Sequence, residues 1–183
     1  MIKKYYSLIF ILLLISESKA TTKDAIIENL KEIKNLEFNF EQNIKGKIER
    51  GNCVLQYPKK IYCKYDLRNQ KILVSNGKSL VIKTLTSYYY YPLERTPLNH
   101  ILNKDFLLKK IRNLNERIID DKFINFNFFE NENEINLFFH KDTYELIGWQ
   151  TLDIYQNLSI TYLSGIKKNL IINENLFELP KQN

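Results

Sequence analysis

The sequence predicts a mainly β fold with a small helical part: an unclosed antiparallel barrel of about ten or eleven strands with a helical lid over a hydrophobic cavity. Three observations carry this. Residues 36–44 alternate strictly, with Leu36, Phe38, Phe40, Gln42 and Ile44 on one side and Glu37, Asn39, Glu41 and Asn43 on the other, the period of a strand with one apolar face. Turn signals then recur at hairpin spacing, and the 12 Tyr and 11 Phe beside few glycines and prolines suit sheet faces covered by large rings. Only two segments, 23–35 and 97–114, carry helical apolar spacing. A sheet of this size curls, because twisted open sheets rarely stay flat beyond about 10 strands. The two helical segments are the available cover for its concave face, giving either a lidded cavity or an ordinary packed core.

In order along the chain, Thr22 caps a helix over 23–35, with Ile26, Leu30 and Ile33 on one side and Lys31, Glu32 and Lys34 on the other. Strands follow at 36–44, 47–57, 61–65, 71–74, 79–85 and 88–91, with turns at 57–60 and 67–70. Asn76-Gly77 is the pair that tolerates positive φ at both centres of a type I′ hairpin. Thr96-Pro97 reads as a hydroxyl N-cap and a proline at the first helical position, opening a helix over 97–114 with Leu98, Ile101 and Leu102 on one face. Strands return at 117–120, 123–129, 134–140, 145–153 and 157–163. The tail, 175–180, is ambiguous between a short helix and a strand.

The N-terminus has the form of an export signal. Lys3 and Lys4 precede an apolar core over 5–15, and Ser18-Lys19-Ala20 supplies small residues for cleavage after Ala20. The core is too short for a comfortable membrane span of roughly 20 residues, and no cysteine follows it to accept a lipid. Cleavage leaves a single domain, 21–183, in an oxidising compartment. It also removes three lysines and one glutamate, lowering the formal charge from +6 to about +4. The pI of 9.1 does not argue for nucleic acid, because lysines are scattered among acids with no block of like charge.

Parts for catalysis are scarce. His100 and His140 are the only histidines, and neither lies in a spaced motif; Cys53, Cys63, His100 and His140 match no zinc module. There is no phosphate-cradling glycine loop and no Gly-x-Ser-x-Gly elbow. Asp120 and Asp121 read as a strand end at a turn. Cys53 and Cys63 flank the turn around Pro58, so a three-residue loop 57–59 would let them face one another in a cross-strand disulfide. A slip of one residue would separate them as two buried thiols. Without Cys-x-x-Cys spacing the pair is structural. No metal and no cofactor is expected.

An ordered set of motifs resembles the LolA family over essentially the whole mature chain. The set comprises Phe40-Glu41-Gln42, a glycine at Gly46 or Gly51, Tyr57-Pro58, the run 72–78, the Tyr-Pro-Leu stretch at 91–93, Thr96-Pro97-Leu98 with Ile101-Leu102, the run 149–153 and Phe177-Glu178-Leu179-Pro180. The resemblance implies an unclosed barrel lidded by helices and a monomeric periplasmic chaperone. Such a protein takes acylated lipoproteins from the inner-membrane LolCDE transporter and passes them to the outer-membrane receptor LolB. It implies acyl-chain contact from Ile26, Leu30 and Ile33, from Leu98, Ile101 and Leu102, and from Phe38, Phe40, Leu55 and Ile61, with no catalytic residue; core packing is the competing role for each. A carrier or sensor of another lipid, a phospholipid or glycolipid, is the alternative on the same fold. Many members carry an arginine before the proline that bonds lid-helix carbonyls; here Tyr57 stands at that lid-latch position. A phenol offers one neutral hydrogen bond of about 1 kcal/mol against about 1.5–3 for a charged donor, unless Arg50 or Lys64 reaches the same carbonyls. Ile61 and Cys63 stand where the family has an aromatic transfer surface.

Overall fold

The computed structural model describes residues 21–130, 133–153 and 155–182; the expected signal segment 1–20 lies outside them. Among the described residues, eleven antiparallel strands form one sheet that does not close: β1 (Asn35–Ile44), β2 (Lys47–Gln56), β3 (Lys60–Tyr65), β4 (Ile72–Asn76), β5 (Ser79–Lys83), β6 (Tyr88–Pro92), β7 (Arg117–Ile119), β8 (Phe123–Glu130), β9 (Asn133–His140), β10 (Leu146–Leu152) and β11 (Leu158–Lys168). The spatial order is β6-β5-β4-β3-β2-β1-β11-β10-β9-β8-β7. Two meanders are thus joined edge to edge by β1 and β11, paired from Leu36 opposite Lys168 to Ile44 opposite Ser159.

Three helices join the core: α1 (Thr22–Glu32), α2 (Leu98–Ile101) and α3 (Lys104–Asn113). Their apolar residues Ile26, Leu30, Ile101, Leu102, Leu107 and Ile111 are 0–2 % exposed. They belong to one apolar cluster with the inward residues of the strands, Phe38, Leu55, Ile61, Ile124, Phe126, Ile135, Leu137 and Phe139 among them.

Several local expectations are corrected. Thr21, not Thr22, caps α1, in a reciprocal box with Asp24. The helix stops at Glu32, short of residue 35, because Asn35 already begins β1 and exchanges bonds with the far end of β11, accepting from Asn169 N–H and donating to the Leu170 carbonyl. The single helix expected over 97–114 is two. The Leu102 carbonyl accepts the Lys59 N–H at 2.7 Å, and Asn103 restarts the chain by capping Phe106 N–H. Thr96 caps nothing downstream; its hydroxyl donates to the Leu93 carbonyl at 2.8 Å, finishing a 3₁₀ turn over Leu93–Arg95. In the Asn76-Gly77 hairpin only Gly77 has positive φ (95°). The last opposed pair is Ser75 with Leu80, and the Asn76 side chain closes the wider turn by accepting from the N–H groups of Lys78 and Ser79. The tail forms a 3₁₀ turn, Glu174–Phe177, that buries Phe177. Asp120 and Asp121 form a left-handed turn between β7 and β8.

Candidate functional site

Strand register sorts the concave face into rows that grow more polar away from the helices. The innermost row sets Leu36 beside Leu55 and Ile61. The next runs Phe38, Cys53, Cys63, Leu73, Ile82 across five strands. The loop 57–59 puts Cys53 directly opposite Cys63, and their sulfurs are bonded. In the third row Phe40 and Tyr65 flank Gly51, and their rings meet at 4.9 Å over it. A Cβ on Gly51 would lie 2.1 Å from the Lys64 carbonyl oxygen and 2.9 Å from the Phe40 ring, so no side chain fits there. The fourth row is Thr161, Gln42 and Glu49.

That fourth row opens on a cavity of about 340 Å³ between the two meanders, under Pro97 and Leu98. Leu73, Leu80, Ile82, Trp149 and Leu152 supply its apolar lining, with Lys47, Glu49 and Lys71 lining it as well. Glu49 is 5 % exposed, and its carboxylate accepts from Lys47 at 2.7 Å and Lys71 at 2.5 Å. Burial alone would push its pKa up, but the two ammonium bonds outweigh that and hold the carboxyl below its ordinary range. Gln42 donates to Ser159 at 3.0 Å and accepts from the buried phenol of Tyr65 at 3.4 Å.

Polar bonds fasten the lid helices to one another and to the sheet. Lys104, at the start of α3, donates to two carbonyls at the C-terminal end of α1, Ile33 at 2.8 Å and Lys31 at 3.0 Å; a cation there also complements the helix dipole. From the β2–β3 loop come two backbone bonds, Lys59 N–H to Leu102 and Tyr57 N–H to Lys34. The Tyr57 hydroxyl bonds no lid carbonyl: it is buried without a hydrogen-bond partner among the described residues, and burial drives its pKa up. Its ring lies 5.7 Å from the Lys104 ammonium. Arg50 pairs with Glu41 at 2.7 Å and Lys64 is exposed, so neither substitutes. Lys104 thus ties α3 to α1 within the lid, while ties to the sheet side come from the Asn29 amide donating to the Thr143 carbonyl at 3.0 Å, the Asn169 amide donating to the Glu32 carbonyl at 3.0 Å and the Lys110–Glu130 pair at 2.7 Å. No local pattern separates Lys104 from the other lysines; only its place beside the end of α1 does.

The ten residues expected to contact acyl chains are brought together, nine of them as packed core and Leu98 at the cavity. Ile26, Leu30, Ile33, Phe38, Phe40, Leu55, Ile61, Ile101 and Leu102 are each 0–5 % exposed. Leu98 borders the open cavity, and Phe38, Phe40, Ile61 and Leu98 line a crevice of about 50 Å³ beside the disulfide. Glu49 was missed by sequence reasoning, although the period-two count from Leu55 through Cys53 and Gly51 points it inward.

His140 accepts from the N–H groups of Asp142 and Thr143, closing a turn. His100 packs against Phe106 with ring centres 4.9 Å apart and the planes tilted by 43°. Burial depresses its pKa, a pull that Glu130 only partly offsets. Among the described residues no three His, Cys, Asp or Glu side chains gather as a metal site, and no helix is long and apolar enough to cross a membrane.

The family described as outer membrane lipoprotein carrier protein LolA matches residues 31–180. No curated protein matches. Among solved structures, the LolA superfamily protein NE2245 from Nitrosomonas europaea is similar at 9% identity over 87% of this chain and 99% of that one, with a TM-score of 0.47. The Mycobacterium tuberculosis lipoprotein LppX is similar at 9% identity over 83% of this chain and 96% of that one, with a TM-score of 0.45.

Proposed function

The chain belongs to the LolA family, and on that premise we propose that it is a non-enzymatic periplasmic carrier that shelters the acyl chains of lipoproteins beneath its lid. Residues 1–20 direct export and are removed, leaving 21–183 as one carrier domain. The LolCDE transporter loads it and a LolB-like receptor unloads it.

The observation that supports this reading is an apolar lid packed over an apolar sheet, next to a preformed cavity. Each methylene kept from water is worth roughly 0.8 kcal/mol, so an acylated protein needs such a shelter to cross an aqueous space. When the lid lifts, Ile26, Leu30, Ile33, Leu98, Ile101 and Leu102 on one side and Phe38, Phe40, Leu55 and Ile61 on the other exchange contact with each other for contact with the cargo. One apolar surface replaces another, so the protein loses little by opening and the chains gain their whole desolvation. Release stays possible because no directional bond holds the cargo.

Carriage of another lipid is the second reading, and the charged cluster at the mouth favours it. Native mass spectrometry of the mature protein, purified from periplasm without detergent, separates the two. A bound acylated lipoprotein supports the first reading, and phospholipid alone supports the second. An empty protein that also fails to release lipoproteins from spheroplasts defeats both.

A further inference from the structure

The mouth cavity combines an apolar lining with more ammonium donors than its buried carboxylate takes up. Glu49 is bonded by both Lys47 and Lys71, at 2.7 and 2.5 Å. Lys71 is only 19% exposed and sits 4.0 Å from the centre of the Tyr65 ring. Its ammonium has three donors, and Glu49 uses one. Asp153, the other carboxylate lining the cavity, is occupied by its own loop: it accepts from the N–H groups of Tyr155 and Asn157, each at 2.8 Å, and from the Asn157 amide at 3.1 Å. Lys47 is 73% exposed and keeps its water, whereas Lys71 shares the lining with Leu73, Leu80 and Trp149 and, among the described residues, has no hydrogen-bond acceptor beyond Glu49, so its remaining N–H groups are open to a ligand.

We propose that this cavity, with the lid closed, takes a single-chain anionic amphiphile. The chain lies against Leu73, Leu80, Ile82, Leu98, Trp149 and Leu152, and the carboxylate or phosphate head is received by Lys71 and Lys47. At about 340 Å³ the space stands near the lower end of the roughly 300–1,000 Å³ of ligand pockets, which suits one chain rather than several. The inference rests on the carrier reading and deepens it, naming the head group that the closed form selects.

The test is displacement of a neutral fluorescent probe, Nile red, from the delipidated mature protein. The competitors are laurate, dodecyl phosphate, methyl laurate and dodecyltrimethylammonium, all below their micelle concentrations. The two anions are expected to bind about tenfold more tightly than the other two, the scale of one or two charge-assisted hydrogen bonds. Lys47→Gln should lower anion affinity about threefold, as for an exposed ion pair, while Glu49→Gln should raise it by a similar factor. Because Lys71→Gln alone leaves the buried Glu49 carboxylate to the 73% exposed Lys47, the Lys71→Gln/Glu49→Gln double variant removes the buried donors without changing the net charge of the wall and should erase the preference while retaining methyl laurate. Equal affinity for all four competitors, or a preference that survives in the double variant, overturns the proposal but leaves the carrier reading standing. Inorganic phosphate displacing the probe as well as dodecyl phosphate would also overturn it, marking a plain ion site. If no amphiphile displaces the probe, the proposal is overturned, while the carrier reading still stands or falls by the native mass spectrometry of the periplasmic protein.

Discussion

The lid end and the mouth end of the same concave face are built on the same strands and behave as opposites. Along β1 the inward residues pass from Leu36 and Phe38 to Gln42; along β2 from Leu55 and Cys53 to Glu49; along β11 from Leu163 to Thr161 and Ser159. At the lid end the space is closed to about 1 % exposure around Leu36, Phe38 and Leu55, whereas at the mouth it opens into the 340 Å³ cavity. The β1–β11 ladder carries a bulge between Glu37 and Asn39 at the lid end and runs in register from Asn39 to Ile44 at the mouth. The inward side chains change with it, from large apolar groups packed on the helices to polar groups around an open space.

The hardest way to break the contrast is to put charge at the lid end. Leu30→Glu or Ile101→Glu should cost about 3–5 kcal/mol by leaving an uncompensated buried charge, abolishing carriage while circular dichroism of the sheet persists. Ile44→Glu at the mouth should cost about 1 kcal/mol or less. Comparable losses at both ends would sink the comparison.

Replacing both cysteines by alanine comes next. The bond closes a segment with a sequence separation of 10, and on the chain-entropy account its loss costs about 2–3 kcal/mol. Since Cys53 and Cys63 stand in the second row, beside the lid-end core, denaturant unfolding should shift as a whole with carriage retained at permissive temperature.

Lys104→Met tests the tie between α3 and α1. Losing two charge-assisted bonds to α1 should cost about 1.5–3 kcal/mol locally, seen as faster hydrogen exchange at the end of α1 and start of α3. Exchange within β8 and β9 should not change. Uniform acceleration would show that Lys104 holds the whole domain and not its lid.

The mildest probe is pH, which separates the two ends. His100, in α2 of the lid, has its pKa depressed by burial from an ordinary 6.5. The closed form therefore refuses a proton that the open or unfolded chain accepts. Its contribution is complete above about 6.5 and is lost as the pH falls through the depressed value. Glu49 is also depressed, from an ordinary 4.5, because its bonds from Lys47 and Lys71 outweigh burial; its contribution is complete above about 4.5 and is lost below, at a more acid step. Urea stability measured from about pH 7.5 to 3 should lose the first step in His100→Gln and the second in Glu49→Gln. A single shared step would mean that the ends are coupled.

Most of the sheet was legible in the sequence, and much of the site was not. Period-two alternation and turn residues marked the strands to within one or two residues, except β11. Its outward continuation to Lys168 is set by partners such as Leu36 and Asn35 that lie far off in sequence. The break between α2 and α3 was hidden for the same reason, since the Lys59 N–H that takes the Leu102 carbonyl comes from another part of the chain. Apolar spacing identified the inward residues correctly but could not tell the packed rows from the open ones. That distinction depends on what stands opposite, as with the Tyr57 phenol, which meets no lid carbonyl.

The single join between β1 and β11 has a consequence for how the molecule comes to exist. Every other strand pairs with its neighbour in sequence, so each meander can assemble locally. Contacts of long sequence separation are the slow ones, because loop closure precedes their reward. The first strand must wait for the last, and until β11 zips onto it there are two flat ribbons and no interior. A chain truncated before Leu158 should therefore keep hairpins yet possess no concavity at all. The cavity is the final product of folding, made by the last segment of the sheet to leave the ribosome.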